Sequence, residues 1–354
     1  MWIEMIPPQP NPPAVTNLTA ASKTTAMHAT EPPRVQLAQL PTPIVEAKRL
    51  AQHFNIPKLL LKRDDLTGLE TSGNKIRKLE YVIADALAQG ADTLVTHGGF
   101  QSNHCRATAA IGAKLGLHVR LVLRSPSDSP DREGNLFLDN LFGAEISHHS
   151  PSDYNSNRKQ LMDAAMDEQR RKGRKPYFFP VGASVPLGCW GYIRCVHELI
   201  EQLGRDASVD LFAPVSSSGT YAGIVLAKAL FKLESWRMIG ILVSDTVDYF
   251  QKDVRDLINR TSEQFNLNIT ERDTPLEFID GYIGEGYAIP FPSAIEMIRT
   301  VARTEGICLD PTYTSKALVG CVETIQKGGA RAGAIPVFIH TGGIFGLFAR
   351  RDLF

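Results

Sequence analysis

The sequence predicts an α/β protein whose parallel sheets carry helices on both faces. Two observations carry that expectation. Short apolar runs alternate with longer stretches of helical periodicity along most of the chain. The alternation continues strand by helix to the end of the chain, the βαβ pattern whose strands lie parallel with helices over both faces. With 354 residues, the chain is long enough for two domains and a well-buried core. No internal repeat is evident.

The elements follow in order. Pro41-Thr42-Pro43 is an extended entry, Ile44 to Phe54 is expected as a helix, and Lys58 to Arg63 as a short buried strand. A loop of Thr, Gly and Ser then opens onto a helix from Ile76 to Leu87, with Ile76, Leu79, Ile83 and Leu87 at helical spacing. Strand Thr93 to Thr96, helix Ser102 to Leu115, strand Val119 to Leu123, helix Asn135 to Phe142 and a strand near Glu145 to Ser147 come next. His148-His149 falls in a polar stretch and is expected as a solvated loop; a metal there would need carboxylates or cysteines that the stretch lacks. Helix Ser156 to Lys172, strand Tyr177 to Phe179, and a helix around Trp190 to Leu203 follow, then strand Asp210 to Val215 and helix Gly219 to Phe231. Strand Met238 to Val243, helices Tyr249 to Asn259, Ala294 to Glu305 and Ser315 to Gln326, and strand Pro336 to His340 complete the series.

Composition excludes several classes. Lys plus Arg equals Asp plus Glu at 38 each, so no net field draws the chain to nucleic acid or an acidic membrane. The five cysteines are scattered without a CxxC pair, against a disulfide framework or structural zinc and in favour of a reducing compartment. No apolar run reaches the roughly 20 residues of a membrane span. Residues 1–33 carry Pro7, Pro8, Pro10, Pro12, Pro13, Pro32 and Pro33 among Ser, Thr and Ala, and are expected to be a disordered leader. That leader has no secretory pattern and little arginine. The cytoplasm is therefore the expected location, with organellar targeting weakly open.

Ligands of open α/β sheets gather at the carboxyl ends of strands, where loops run into helix N-termini. His97 to His104 follows a strand and opens an Ala-rich helix; Ser102 and Asn103 suit its cap, and free N–H groups there favour an anion. The His-Gly-Gly run also resembles the oxyanion stretch of some α/β-hydrolases, but no GxSxG elbow exists in the chain. Ser216-Ser217-Ser218-Gly219-Thr220 places four hydroxyls and a glycine at a helix start, a cradle for a monophosphate held without cations. It is neither a Walker loop nor a GxGxxG fingerprint. Val181 to Gly188 is a glycine loop that could approach a flat ligand. Lys75 stands at the first turn of its helix, where the positive dipole end lowers an amine's pKa. The alternative is that Lys75 is one of several solvated bases beside Arg77 and Lys78.

The ordered motifs KRDDLTG, SGNKIRKLEY, GGFQSNHCR, GASVPLG, SSSGTYAG, GEGYAIP, ARTEGICLDPTYTSKAL and HTGG resemble the pyridoxal-phosphate family of 1-aminocyclopropane-1-carboxylate deaminases and D-cysteine desulfhydrases, from about Pro41 to the C-terminus. The resemblance implies the tryptophan-synthase-β type of fold (fold type II): two open twisted α/β domains with the cofactor, pyridoxal 5'-phosphate, between them, usually as a homodimer. The implied division is residues 34–80 with 190–354 as a large domain and 81–189 as a small one. Lys75 becomes the Schiff-base lysine, Asn103 the partner of the cofactor's phenolic oxygen, and Ser217, Ser218, Gly219 and Thr220 the phosphate site. Ser102 with neighbouring Gln101 and Asn103 would hold the substrate carboxylate, and Tyr287 and Tyr313 would line the substrate side. Without the resemblance these tyrosines read as ordinary half-buried aromatics.

Two positions separate the branches. Thr314, facing the ring nitrogen by resemblance, and Thr341 match the desulfhydrases, where the deaminases carry Glu and Leu. A glutamate would keep that nitrogen protonated and deepen the electron sink, which opening a cyclopropane needs more than expelling a thiolate does. The expected activity is β-elimination of D-cysteine to pyruvate, hydrogen sulfide and ammonia, with cyclopropane deamination as the alternative. His104 and Cys105 are expected as packing residues, and His340 as shaping the site without moving a proton.

Overall fold

The computed structural model describes residues 30–354. The expected leader falls mostly outside the described residues, but its last part does not float. The Tyr81 hydroxyl donates to Glu31 at 2.5 Å, and Arg34 donates to the buried Glu80 at 2.6 Å. The chain from Glu31 onward is therefore strapped to the helix that carries Lys75.

β1 (Ile44–Glu46) and α1 (Lys48–His53) replace the single helix expected from Ile44 to Phe54. β1 pairs antiparallel with β2 (Leu60–Lys62), Val45 opposite Leu61. The β-branched pair Ile44-Val45 follows prolines that favour extended backbone, and a free sheet edge takes it; helical periodicity holds only from Lys48 on. α2 (Lys75–Ala88) leads into β3 (Thr93–Gly99), α3 (Asn103–Leu115), β4 (His118–Arg124), α4 (Gly134–Leu141), β5 (Glu145–His149), α5 (Pro151–Arg171) and β6 (Pro176–Phe178). β5 runs further than expected: His148 and His149 sit in the strand opposite Leu123 and Arg124, and are half-buried rather than solvated. Ser125 and Asp153 partner their rings at 2.7 and 3.0 Å. α6 (Pro186–Leu203), β7 (Val209–Val215), α7 (Ser218–Phe231), β8 (Trp236–Leu242), α8 (Val247–Gln264), β9 (Phe278–Ile279), α9 (Pro292–Glu305), α10 (Thr314–Gln326), β10 (Ile335–Ile339) and α11 (Ile344–Phe348) complete the chain.

Two sheets result. Six strands run in the order β1-β2-β10-β7-β8-β9 and four in the order β5-β4-β3-β6, parallel throughout except for β1. Strand side chains alternate between faces, and the large sheet divides its core that way. Leu211, Ala213 and Val215 of β7 pack with Val337 and Ile339 of β10 on one face, whereas Phe212 and Phe338 pack with Ile239 and Ile241 on the other. In the small sheet, Leu94, Leu121 and Leu123 meet α2 and α3, while Val95 and Val122 meet Met162 and Ala165 of α5. The expected domain limits at 80/81 and 189/190 fall inside α2 and α6, each of them one continuous helix. α2 serves both units: Ile76, Leu79 and Ile83 join the small-sheet core, and Tyr81 joins the core of the large sheet.

Candidate active site

The carboxyl ends of β3, β4 and β7, the start of α2 and the turn after β10 converge on one cavity of about 400 Å³. Lys75 is the first residue of α2, and its position is fixed from several directions. Gly73 lies at φ +109°, a conformation that favours glycine, and a Cβ there would stand 2.8 Å from the Thr341 carbonyl oxygen. The next residue, Asn74, donates its N–H to that same oxygen at 3.1 Å. Buried Arg106 donates Nη2 to the Ser72 carbonyl at 2.8 Å. Asn74 also donates Nδ2 to Thr220 Oγ1 at 3.0 Å, so the lysine loop and the hydroxyl loop are bonded directly.

Lys75 itself is half-buried, faces the cavity, and makes no ion pair or hydrogen bond among the described residues. Desolvation lowers its pKa to about 8, against a pull upward from Asp310 and with a further push down from Arg106. Neither neighbouring base is solvated. Arg77 is buried in pairs with Asp64 and Glu198, and Lys78 is buried with its Nζ unpartnered. Burial, then the nearby Lys75 charge, drives the Lys78 amine well below its usual range.

At the start of α3, Ser102 Oγ accepts the Cys105 N–H at 3.2 Å as the helix cap. Asn103 lines the cavity, and its buried Oδ1 has no partner among the described residues. Gln101 does not line the cavity: its amide bridges the Glu133 carbonyl and the Asn135 N–H, both at 2.9 Å. His104 and Cys105 are buried, and His104 Nε2 sits 2.9 Å from Thr96 Oγ1, in keeping with a packing role.

Along the serine turn, Ser216, Ser217 and Thr220 line the cavity. Ser218 does not: its hydroxyl donates to Asp253. Gly219 donates its N–H to Ser184 Oγ at 3.2 Å, and a Cβ on Gly182 would stand 2.7 Å from Ser217 Oγ. The third glycine loop thus buttresses the serine turn.

On the opposite wall, the Tyr287 and Tyr313 hydroxyls lie 2.5 Å apart, and the Arg124 guanidinium covers the Tyr287 ring at 5.2 Å. Burial raises both phenols, the Tyr313 contact and Arg124 opposing it at Tyr287. Thr341 lines the cavity, whereas Thr314 is fully buried outside its lining. The Thr314 hydroxyl donates to Asp310 Oδ1 at 2.7 Å and accepts the Asp310 N–H at 2.8 Å. Among the described residues His340 meets only backbone, donating Nε2–H to the Cys308 carbonyl and accepting the Gly342 N–H on Nδ1. Sequence reasoning missed Asn74, Arg124, Tyr154 and Arg158, all cavity-lining. Arg124 ends a parallel strand at its carboxyl end, a signal that was there to be read. Tyr154 and Arg158 sit on a polar helix and gave none.

An unpaired amine at the foot of the cavity, the Asn103 amide on its wall, and a turn of uncharged hydroxyl donors together fit a small aldehyde carrying a phosphate. Residues 35–342 match the family model described as pyridoxal-phosphate dependent enzyme. The chain belongs to that family. Its cofactor is pyridoxal phosphate, and its fold is fold type II. Relatives within this family of pyridoxal-phosphate enzymes agree along nearly the whole chain. A Thermotoga maritima protein named provisionally for 1-aminocyclopropane-1-carboxylate deaminase is 40% identical over 318 residues, covering 90% of this chain and 98% of its own. The mitochondrial bifunctional D-cysteine desulfhydrase/1-aminocyclopropane-1-carboxylate deaminase of Arabidopsis thaliana is 38% identical, covering 89% of this chain and 79% of its own. A solved structure described as an ACC deaminase homologue superposes with a TM-score of 0.82 at 36% identity, covering 91% of this chain and 95% of that one. Among the described residues no three His, Cys, Asp or Glu side chains group as metal ligands, and no helix is long and apolar enough to cross a membrane.

Proposed function

We propose that this pyridoxal-phosphate enzyme is a D-cysteine desulfhydrase, converting D-cysteine to pyruvate, hydrogen sulfide and ammonia. The observation that carries the lyase chemistry is the Lys75 amine, unpaired and bonded through its neighbour Asn74 to the hydroxyl turn at Thr220. The choice of substrate rests on residue type at the two positions that separate the branches: Thr341, which lines the cavity, and Thr314, whose hydroxyl is committed to Asp310.

When bound, the cofactor supplies an electron sink for the substrate α-carbon. The chain's own residues do the rest. Ser216, Ser217 and Thr220 would hold the phosphate with O–H and N–H donors, and Asn103, which lines the cavity, would donate its amide Nδ2 to the phenolic oxygen. N–H groups at the start of α3, beside Ser102, receive the substrate carboxylate. Lys75, with a pKa near 8, removes the α-proton as a general base. The Cβ–S bond breaks with its electron pair going to sulfur, and Tyr287 supplies the proton that sulfur takes. Water then converts the released enamine to pyruvate and ammonia. Ser218 and Gln101, engaged elsewhere through their side chains, contribute backbone groups at most.

The second reading, cyclopropane deamination, is favoured by the name of the Thermotoga relative. One experiment separates them: sulfide release from D-cysteine and L-cysteine beside ammonia release from 1-aminocyclopropane-1-carboxylate, on the same holoenzyme. Faster sulfide release from D-cysteine is expected. Faster turnover of the cyclopropane overturns the assignment.

A further inference from the structure

His97 lies in β3 just before Gly98-Gly99 and is 4% exposed. Three contacts hold its ring. It stacks on Phe178 with 5° between planes, it receives the Val181 N–H on Nε2 at 3.3 Å, and its Nδ1 lies 2.5 Å from the Tyr154 hydroxyl. A backbone N–H can only donate, so Nε2 carries no proton. Burial, reinforced by the charge of Arg158, depresses the imidazole to about 4 and leaves it neutral near pH 7. The single ring proton therefore resides on Nδ1 and points at the Tyr154 oxygen.

The consequence falls on Tyr154. Its oxygen is used as an acceptor, so its own proton must go elsewhere, and it has no other hydrogen-bond partner among the described residues. The ring is 6% exposed and lines the cavity that Lys75 faces. Arg124, stacked on Tyr287 and without an ion pair among the described residues, lies on the same wall, and its charge acts on Tyr154 and Tyr287 alike. A phenolic donor on a cavity also lined by the Arg124 and Arg158 guanidiniums, the latter over the Tyr154 ring at 5.7 Å, makes a site for an oxyanion.

We propose that Tyr154 is a further substrate-binding donor, aimed at the amino-acid carboxylate, and that His97 is the positioning residue that aims it. The inference rests on the reading of the cavity as an amino-acid site. That reading does not supply it, because neither residue belongs to any motif that identifies the family here. No covalent step is involved; Tyr154 contributes a hydrogen bond to a charged group that the substrate brings.

The test uses the holoenzyme and the cofactor's absorbance rather than turnover. Titration with D-alanine, which has the carboxylate but no leaving group, gives a dissociation constant; ethylamine, which lacks the carboxylate, is the control. Tyr154→Phe is expected to weaken D-alanine binding by on the order of tenfold and to leave ethylamine within about twofold. His97→Leu should copy it. His97→Asn, whose amide nitrogen can occupy the Nδ1 position, should restore most of the affinity. Equal weakening of both ligands, or no weakening, overturns the proposal. So does 15N NMR showing His97 protonated on Nε2, a readout that stands even if the variants fold poorly. Sulfide release from D-cysteine by the wild-type enzyme reports separately on the proposed activity, so the two failures are distinguishable.

Discussion

Arg77 grips both oxygens of Asp64, Nε to Oδ2 at 2.9 Å and Nη2 to Oδ1 at 2.8 Å, with both side chains essentially sealed from solvent. Glu198 takes the other edge of the guanidinium at 2.9 Å, and Lys62 and Tyr192 close the network around the two acids. Arg77 is two residues beyond Lys75, so this cluster clamps the helix turn from which the active amine projects.

Removing one partner of a buried pair strands the other charge, at a cost of about 3–5 kcal/mol. Arg77→Met is therefore expected to lower the thermal midpoint by roughly 4–7 °C, read by calorimetry. An unchanged midpoint would show the cluster to be energetically idle. Burial pushes the Asp64 carboxyl up, but Arg77 outweighs it and the folded pKa lies below the usual 3.8. The clamp therefore stabilises the fold fully above the unfolded pKa, and that contribution is lost as pH falls through the folded value.

Lys75 sets a second pH dependence. At pH 7.5 an ordinary lysine is neutral in roughly one molecule in a thousand, and one with a pKa near 8 in roughly a quarter. Cofactor-stripped protein should recapture pyridoxal phosphate at a rate that rises with pH and levels above about 8, followed by absorbance in a stopped-flow experiment. A rise continuing to pH 10 would mean that burial does not depress the amine. Lys75→Ala should leave the cofactor without its lysine-dependent absorbance band.

Gly73 predicts a third outcome. Its φ of +109° and the 2.8 Å approach to the Thr341 carbonyl leave no room for a methyl group. Gly73→Ala should cost about 1–3 kcal/mol and lower cofactor occupancy together with the melting midpoint. Occupancy equal to wild type would separate the turn from the site.

The serine turn offers a paired comparison. Ser217 faces the cavity, whereas Ser218 is committed to Asp253. Ser217→Ala should weaken cofactor binding by roughly tenfold or more, the worth of one hydrogen bond to a charged group. Ser218→Ala should chiefly lower stability. Fluorescence titration of the stripped protein measures both, and an inverted order would place the phosphate on the other side of the turn.

Periodicity and loop chemistry in the sequence determined the alternation of strands and helices, the hydroxyl and glycine turns at strand ends, and the lysine at the head of α2. These are local properties: helical spacing, cap residues and positive-φ glycines act within a few positions of one another. The tertiary structure alone decided the rest. Ile44 to Glu46 became a strand because β2 presented a free edge, and Arg77 turned inward because Asp64 and Glu198 arrive from elsewhere in the chain. His97 and Tyr154 met only when α5 packed on the small sheet. Whether a polar side chain is buried, and which way its proton points, depends on partners far off in sequence, and no local pattern encodes them.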